Sequence, residues 1–488
     1  LFKIKLVPVS PLALITTGLG KPTAALIIIE VPGSGFEKLV NIALEQALRD
    51  SSAWERPRCL EDTRVKYLRN LTSWGEGEWK SQRTRVFWMD GPAGVGKSAI
   101  AQTWADTLED RFAAAFFFSR ANGWNQPEKF WPTISYQLST RYPSYRAAVD
   151  ATIIRDPLVL SKTKSIDIQF QELIVKPLRE LSTDDREAIE DAIIVVDGLD
   201  ECSSQDAQRA IINVVTSSVV NGTSSFLWAF FTRPEPHIVS AFLSGIAPEV
   251  CWHISLLVRS RESKMDVRTF LEDGFQKMRV KYDFLNATWP SSRAIDRLVE
   301  FSDGLFAYSS NAIRFIDEGP GSPQSGPEER LQALLTIGAG PRAQLPGLDQ
   351  LYLLIMDQIP KAILPTTLLV LCAHLYVDLE PRNAYTMPVL SSLLDLSTSA
   401  ILTAVYNLHS VLEVTKKANY DLRYHHASFT DFLTTPERAT SEYYIKRSDI
   451  FHQLYLACLG AACRPLPPNT GMYLLFTSHQ NRRSKTSS

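Results

Sequence analysis

The sequence carries no strong charge of either sign: 51 Lys and Arg against 53 Asp and Glu leave a net charge of −2. Nucleic acids and anionic membranes are met first through excess cation, so neither is expected as a partner. Cysteine is sparse, with six residues scattered at 59, 202, 251, 372, 458 and 463. None of them has zinc or redox spacing, and Cys458, Cys463 and His452 lack a fourth ligand. Reduced thiols in a cytoplasmic protein are the plain reading, and the sequons at Asn70, Asn221 and Asn286 are then incidental. No apolar run is long enough to span a bilayer; the stretch at 363–377 reads as a core helix. Residues 1–30 begin basic and continue apolar, a faint leader-like pattern, but Pro8, Pro11 and Gly18 interrupt it. The chain opens on Leu1 rather than Met, as a fragment, a processed form or an imperfect gene reading would. No repeat array is visible.

What the chain has is apolar residues at 45 % and charged ones at 21 %, enough to bury cores in roughly two to four domains over 488 residues. Residues 84–98 read TRVFWMDGPAGVGKS, an apolar strand running into a glycine loop. Gly91, Gly96, Lys97 and Ser98 occupy the fixed positions of G-x-x-x-x-G-K-[ST]. A triphosphate needs a ring of backbone N–H donors, and side chains would block its approach. Gly91, Gly94 and Gly96 remove them and permit positive φ, and Val95, Ser98 and Ala99 complete the cradle. A helix starting near Lys97 aims its N-terminal dipole at the phosphates. Lys97 reaches the β- and γ-phosphates, and Ser98 can ligate Mg²⁺.

Residues 192–202, AIIVVDGLDEC, read as a buried parallel strand ending in Asp197, where ligands collect in open α/β sheets. Asp197 is expected to hold Mg²⁺, directly or through water. Asp200 or Glu201 can orient or deprotonate the attacking water. A third strand, SFLWAFFT, ends at Thr232 and Arg233. Arg233 there can contact a γ-phosphate; its alternative is pairing with Glu235 or another loop acid.

These strings resemble a NACHT-type signal-transduction NTPase, nearest to the fungal receptor-like set with a nephrocystin-3-like N-terminal domain. GPAGVGKSAIAQT, FFFSR (116–120), TISYQLS (133–139), DGLDEC (197–202), TRPEPHI (232–238) and HHASFTDFL (425–433) carry the resemblance over about residues 54–460. It implies an oligomerising switch of the STAND class, with a nucleotide-binding domain, a helical domain and a winged-helix domain. It also gives His426 a contact to the β-phosphate of ADP that holds the closed state, with His425 as the adjacent ambiguity. From the residues alone His426 reads as a capped or core histidine. Near the base the resemblance carries over only Thr63 and Arg64, because Asp62 replaces a glycine.

The expected fold is an α/β parallel P-loop sheet of the additional-strand type, followed by an all-α domain and a winged helix. The expected divisions are an unassigned segment (1–50), a linker and helix (51–83), the nucleotide-binding domain (84–257), a helical domain (258–345), a winged helix (346–440), and a last helix with a disordered tail (441–488). The strand 225–232 should lie between the phosphate-loop strand and the Asp197 strand. In the winged helix, Lys416 to Asn419 make a turn between two strands, and Ser428 caps the next helix with Asp431 at the capping-box position. Its recognition-helix candidate, STSAILTAVYNLHS, has no Lys or Arg, so a packing module is expected rather than a DNA reader.

The expected ligands are ATP/ADP and Mg²⁺. No base-reading motif excludes GTP; the resemblance favours ATP. A homo-oligomer in the ATP state, an upstream ligand and an effector protein are the expected partners. Moving such a switch from 1:99 to 99:1 takes about 5.5 kcal/mol, and a histidine–phosphate bond supplies roughly 1.5–3 kcal/mol. His426 alone therefore cannot set it. An ordinary P-loop kinase or ATPase, or a scaffold that binds without turnover, are the rival readings.

Overall fold

The structure is a computed structural model of the chain and describes residues 2–8, 34–51, 56–77, 84–317, 326–337, 344–380, 387–415, 421–446 and 472–477. It divides into two units, Pro32–Ile313 and Leu1–Val31 with Arg314–Ser488. Strand β1 (Phe2–Pro8) belongs to the second unit.

The first unit is built on β2 (Val86–Asp90), β3 (Phe112–Phe117), β4 (Ile193–Asp197), β5 (Leu227–Thr232) and β6 (Cys251–Ser255). All pair in parallel, in the order β3-β4-β5-β2-β6. The strand ending at Thr232 thus lies between the phosphate-loop strand and the Asp197 strand, as expected. Every residue of β2, β4 and β5 is buried, which is why these runs read as continuous apolar sequence rather than alternating.

The period of two still sorts side chains between the faces. Val86, Trp88, Ile194 and Val196 join a core with helices Phe130–Arg141 and Gln205–Val220. Phe87, Met89, Ile193 and Val195 join another with helix Lys97–Thr107, through Ile100, Ala101 and Trp104. Residues of the segment expected to be unassigned pack here as well: helix Gly35–Ile42 buries Leu39, and Ala47 enters the same core. Helix Val65–Gly75 follows the linker. Past the sheet come helices Arg261–Lys281, Ser292–Ser302 and Phe306–Ile316.

The second unit holds helices Pro327–Thr336, Gly347–Asp357 and Leu364–Tyr376, then β7 (Val377–Glu380) and helices Met387–Leu394 and Thr398–Val405. The antiparallel pair β8 (Leu412–Thr415) and β9 (Asp421–Tyr424) precedes helices Ala427–Leu433 and Pro436–Tyr443. The 363–377 run is a core helix, with Val370, Leu371, Cys372 and Ala373 buried. Among the described residues no single helix is long and apolar enough to cross a membrane.

One local expectation fails. The cap of helix Ala427–Leu433 is His426, whose ring accepts the Ser428 N–H, so Ser428 lies inside the helix and Asp431 is not at a capping-box position. The Ser428 hydroxyl instead lies 2.6 Å from both Tyr352 Oη and His426 Nδ1. The Lys416–Asn419 turn, the helix expected at 450–463 and the tail from 479 lie outside the described residues. Three strands went unforeseen: β10 (Met472–Thr477) pairs antiparallel with β1, which pairs in parallel with β7. A partner so far along the chain leaves no local pattern in the sequence.

Candidate phosphate-binding site

Strand β2 ends at Asp90, and the chain turns sharply because Gly91 N–H reaches across to Thr232 O at 3.3 Å. The loop then runs to Gly96, which caps helix Lys97–Thr107 in a left-handed conformation with no side-chain cap. The first N–H groups of that helix are therefore left to an incoming acceptor. Gly94 has φ +82, and its carbonyl accepts the Ala307 N–H at 3.0 Å. A Cβ at Gly94 would lie 2.7 Å from the Ala307 Cβ, so both backbone conformation and space demand glycine. Val95 is buried, Ser98 is exposed and Ala99 is half-buried at the start of the helix.

Lys97 is only 9 % exposed, and its ammonium donates to Gly91 O (2.6 Å) and Pro92 O (2.9 Å). Burial pushes its pKa down, against the pull of Asp200 and Asp197. An ammonium held this way inside its own loop is well placed to exchange two carbonyls for phosphate oxygens.

Asp197 ends β4 on the same face as the phosphate-loop helix. It is 4 % exposed, and its Oδ1 has no hydrogen-bond partner. Burial lifts its pKa to about 6, while the neighbouring Ser98 hydroxyl and Lys97 draw it down. A buried carboxylate oxygen without a donor costs free energy that a cation would recover. Mg²⁺ takes one or two protein oxygens and keeps the rest for water and phosphate, and Ser98 with Asp197 fits that demand. Among the described residues no cluster of three or more His, Cys, Asp or Glu is arranged for a metal.

Asp200 is engaged by Arg233. Its Oδ1 accepts the Arg233 N–H at 2.9 Å, and its Oδ2 lies 3.3 Å from Arg233 Nε. Arg233 Nη2 stands 4.0 Å from Glu201 Oε1. The geometry here pairs Arg233 with loop acids, Asp200 first and Glu201 at longer range. Glu201 Oε2 accepts the Arg120 N–H at 2.8 Å, and Arg120 also donates to Asp200 O. Burial, then the Asp200 charge, push the Glu201 carboxyl upward.

Several groups here left no mark in the residue pattern. Arg64 is 2 % exposed, with φ +58, and donates to Val95 O of the loop (2.7 Å) and to Ser263 Oγ (3.0 Å). It stands 3.7 Å from Asp266 and 4.8 Å from the Phe306 ring centroid, so one guanidinium ties the loop to two following helices. Beneath the loop, His253 lies 3.3 Å from Asp90 and stacks on Trp88. Burial resists ionisation of Asp90, but hydrogen bonds from His253 and Ser255 hold its carboxyl below the usual range. Arg64 alone had a signal in advance, through the resemblance. The Asp90–His253 pair joins strands far apart in sequence.

His426 lies in the other unit, and its Nδ1 accepts the Ser428 N–H at 3.0 Å. That fixes the neutral ring as the Nε2–H tautomer. His425 Nε2 sits 3.1 Å from His409 O, and burial drives its pKa to about 3.

The family described as Nephrocystin 3, N-terminal, matches residues 71–233. That span contains the loop, Asp197, Asp200, Glu201 and Arg233, and stops well short of His426. No curated protein matches the chain. Two solved structures overlay loosely. Drosophila ORC bound to poly(dA/dT) DNA and Cdc6 is 12 % identical over 93 % of this chain and 70 % of its own, with a TM-score of 0.27. Drosophila ORC bound to DNA gives 12 %, 91 %, 70 % and 0.27. A TM-score that low bears on neither fold detail nor partner.

Proposed function

We propose that the chain is a nucleotide-dependent switch of the NACHT/STAND kind that binds ATP and ADP with Mg²⁺ and hydrolyses ATP slowly. The observation that carries it is the convergence of a glycine loop, a buried Lys97 and a partnerless Asp197 oxygen beside Ser98 at one sheet edge. Loop N–H groups and Lys97 bind the phosphates. Ser98 and Asp197 would hold Mg²⁺, which neutralises charge building on the phosphates. Glu201 is the base for the attacking water. Burial, with the Asp200 charge, raises the Glu201 carboxyl to about 7, which makes its carboxylate a stronger proton acceptor than an ordinary one. Arg233 senses the γ-phosphate by exchanging its Asp200 contact for it.

In this reading the 84–257 stretch is the nucleotide-binding domain and 258–345 the helical domain. The two-stranded hairpin and flanking helices within 346–440 form a winged helix used for packing. His426, through Nε2–H, latches the ADP state, and ATP releases a surface for self-association. The test is to denature the purified protein and identify the nucleotide released. Size exclusion then follows, with ADP and with ATP·Mg²⁺. Bound ADP, and a monomer that enlarges with ATP, are expected. No bound nucleotide with rapid turnover would replace the switch by an ordinary ATPase.

A further inference from the structure

The linker contributes a buried cation that the P-loop pattern does not include. Arg56 is 6 % exposed, and its Nη1 and Nη2 donate to the carbonyls of Leu48 and Gln46. Its guanidinium lies 4.3 Å from the Phe117 ring centroid. Phe117 ends β3 and is the register partner of Asp197 at the end of β4. Register partners in neighbouring parallel strands point to the same face, about 4.8 Å apart. Phe117 belongs to the core on the face of the phosphate-loop helix. Arg56 therefore sits over the strand next to Asp197, on the side where Ser98 begins that helix.

We propose that Arg56 is a fixed positive charge at the metal corner of the nucleotide site, one that competes with Mg²⁺ for Asp197 and sets how much Mg²⁺ nucleotide binding requires. The inference rests on the nucleotide reading above. Both terminal nitrogens are spent on main-chain carbonyls, so Arg56 acts by position and charge rather than as a phosphate ligand. Asp197 is the charge that acts on it most strongly, ahead of Asp50, Arg58 and Asp106, while Asp197 itself feels Lys97 and Asp200 before Arg56. A divalent cation at Asp197 is opposed by this guanidinium, and an anion there is favoured by it. The segment carrying Arg56 precedes the matched span 71–233, so a region outside the core motif tunes the metal.

The test is binding of fluorescent ADP to the full chain across a Mg²⁺ titration that begins in EDTA. Arg56→Gln should lower the Mg²⁺ concentration at half-effect by about tenfold and weaken metal-free binding several-fold. Arg56→Met, whose chain still packs on Phe117, repeats the test if the Gln variant misfolds. Arg56→Lys keeps the charge and should restore the wild-type midpoint. Folded neutral variants with the wild-type midpoint would overturn the inference while the nucleotide reading stands. Wild-type protein that binds no ADP at any Mg²⁺ concentration would overturn both.

Discussion

In the sheet unit, buried charged side chains gather at one edge. Asp90, Asp197 and Asp200 sit at or just past strand ends, with Lys97 at the start of the helix that follows the phosphate loop. In the 314–446 region they are paired off separately. Buried Asp349, at the start of its helix, holds Arg438 at 2.6 Å. Deeply placed histidines there are kept neutral: burial lowers His374 to about 4 and His425 to about 3. Converging charge with an oxygen left unpaired marks a place built for a ligand, because the folded chain alone does not satisfy it. Charge that is paired locally marks packing.

The sharpest way to break this comparison is Lys97→Ala. It removes the cation from the edge cluster and should weaken ADP binding by roughly a hundredfold or more, as loss of a buried charge partner does. Unchanged affinity by calorimetry would sink the site assignment. Glu201→Gln should leave affinity within about twofold and cut turnover by roughly a hundredfold or more. Equal loss of both would make Glu201 structural.

Acid should separate the two regions by sign. His374 has a folded pKa below its unfolded value near 6.5, so its contribution is intact above 6.5. It is lost as pH falls toward about 4, by about 3 kcal/mol in all. Asp197 has a folded pKa of about 6, above the ordinary aspartate value of 3.8. Its contribution is intact below 3.8 and lost as pH rises through 6, again by about 3 kcal/mol. Ligand-free Asp197→Asn should therefore melt higher than wild type at pH 7 and alike at pH 3.5, while His374→Gln should flatten the loss of stability below pH 6.5. Identical pH–melting curves for wild type and both variants would remove the contrast. The smallest effect is expected of His426→Ala. Losing the cap costs about 1 kcal/mol in urea unfolding, and the latch reading adds a shift toward larger assemblies on size exclusion. A variant that stays monomeric with ATP would leave His426 as a cap alone.

The phosphate loop was legible because its chemistry is local. Six consecutive backbone positions, a lysine and a serine must follow one another for the cradle to form, so the string is the site. The Asp197 strand was legible because a strand buried on both faces must be continuously apolar. The helix cap at 426 was misread because Ser and His can both accept an N–H; with His426 in the cap, the Ser428 hydroxyl lies inside the helix between His426 Nδ1 and Tyr352 Oη, each 2.6 Å away.

By itself the sequence determined the five parallel strands and the loop and strand ends at the sheet's loaded edge, since these follow from local pattern; the place of β5 between β2 and β4 came from the P-loop class it resembles, and the places of β3 and β6 from the structure. Only the tertiary structure decided the pairing of Arg233 with Asp200, the Arg64 tie from Val95 to Asp266, the Arg56 charge beside Asp197, and the joining of β1 to β10. Each brings together groups separated by tens to hundreds of residues. Such contacts depend on how whole elements pack, and no periodicity or motif records them.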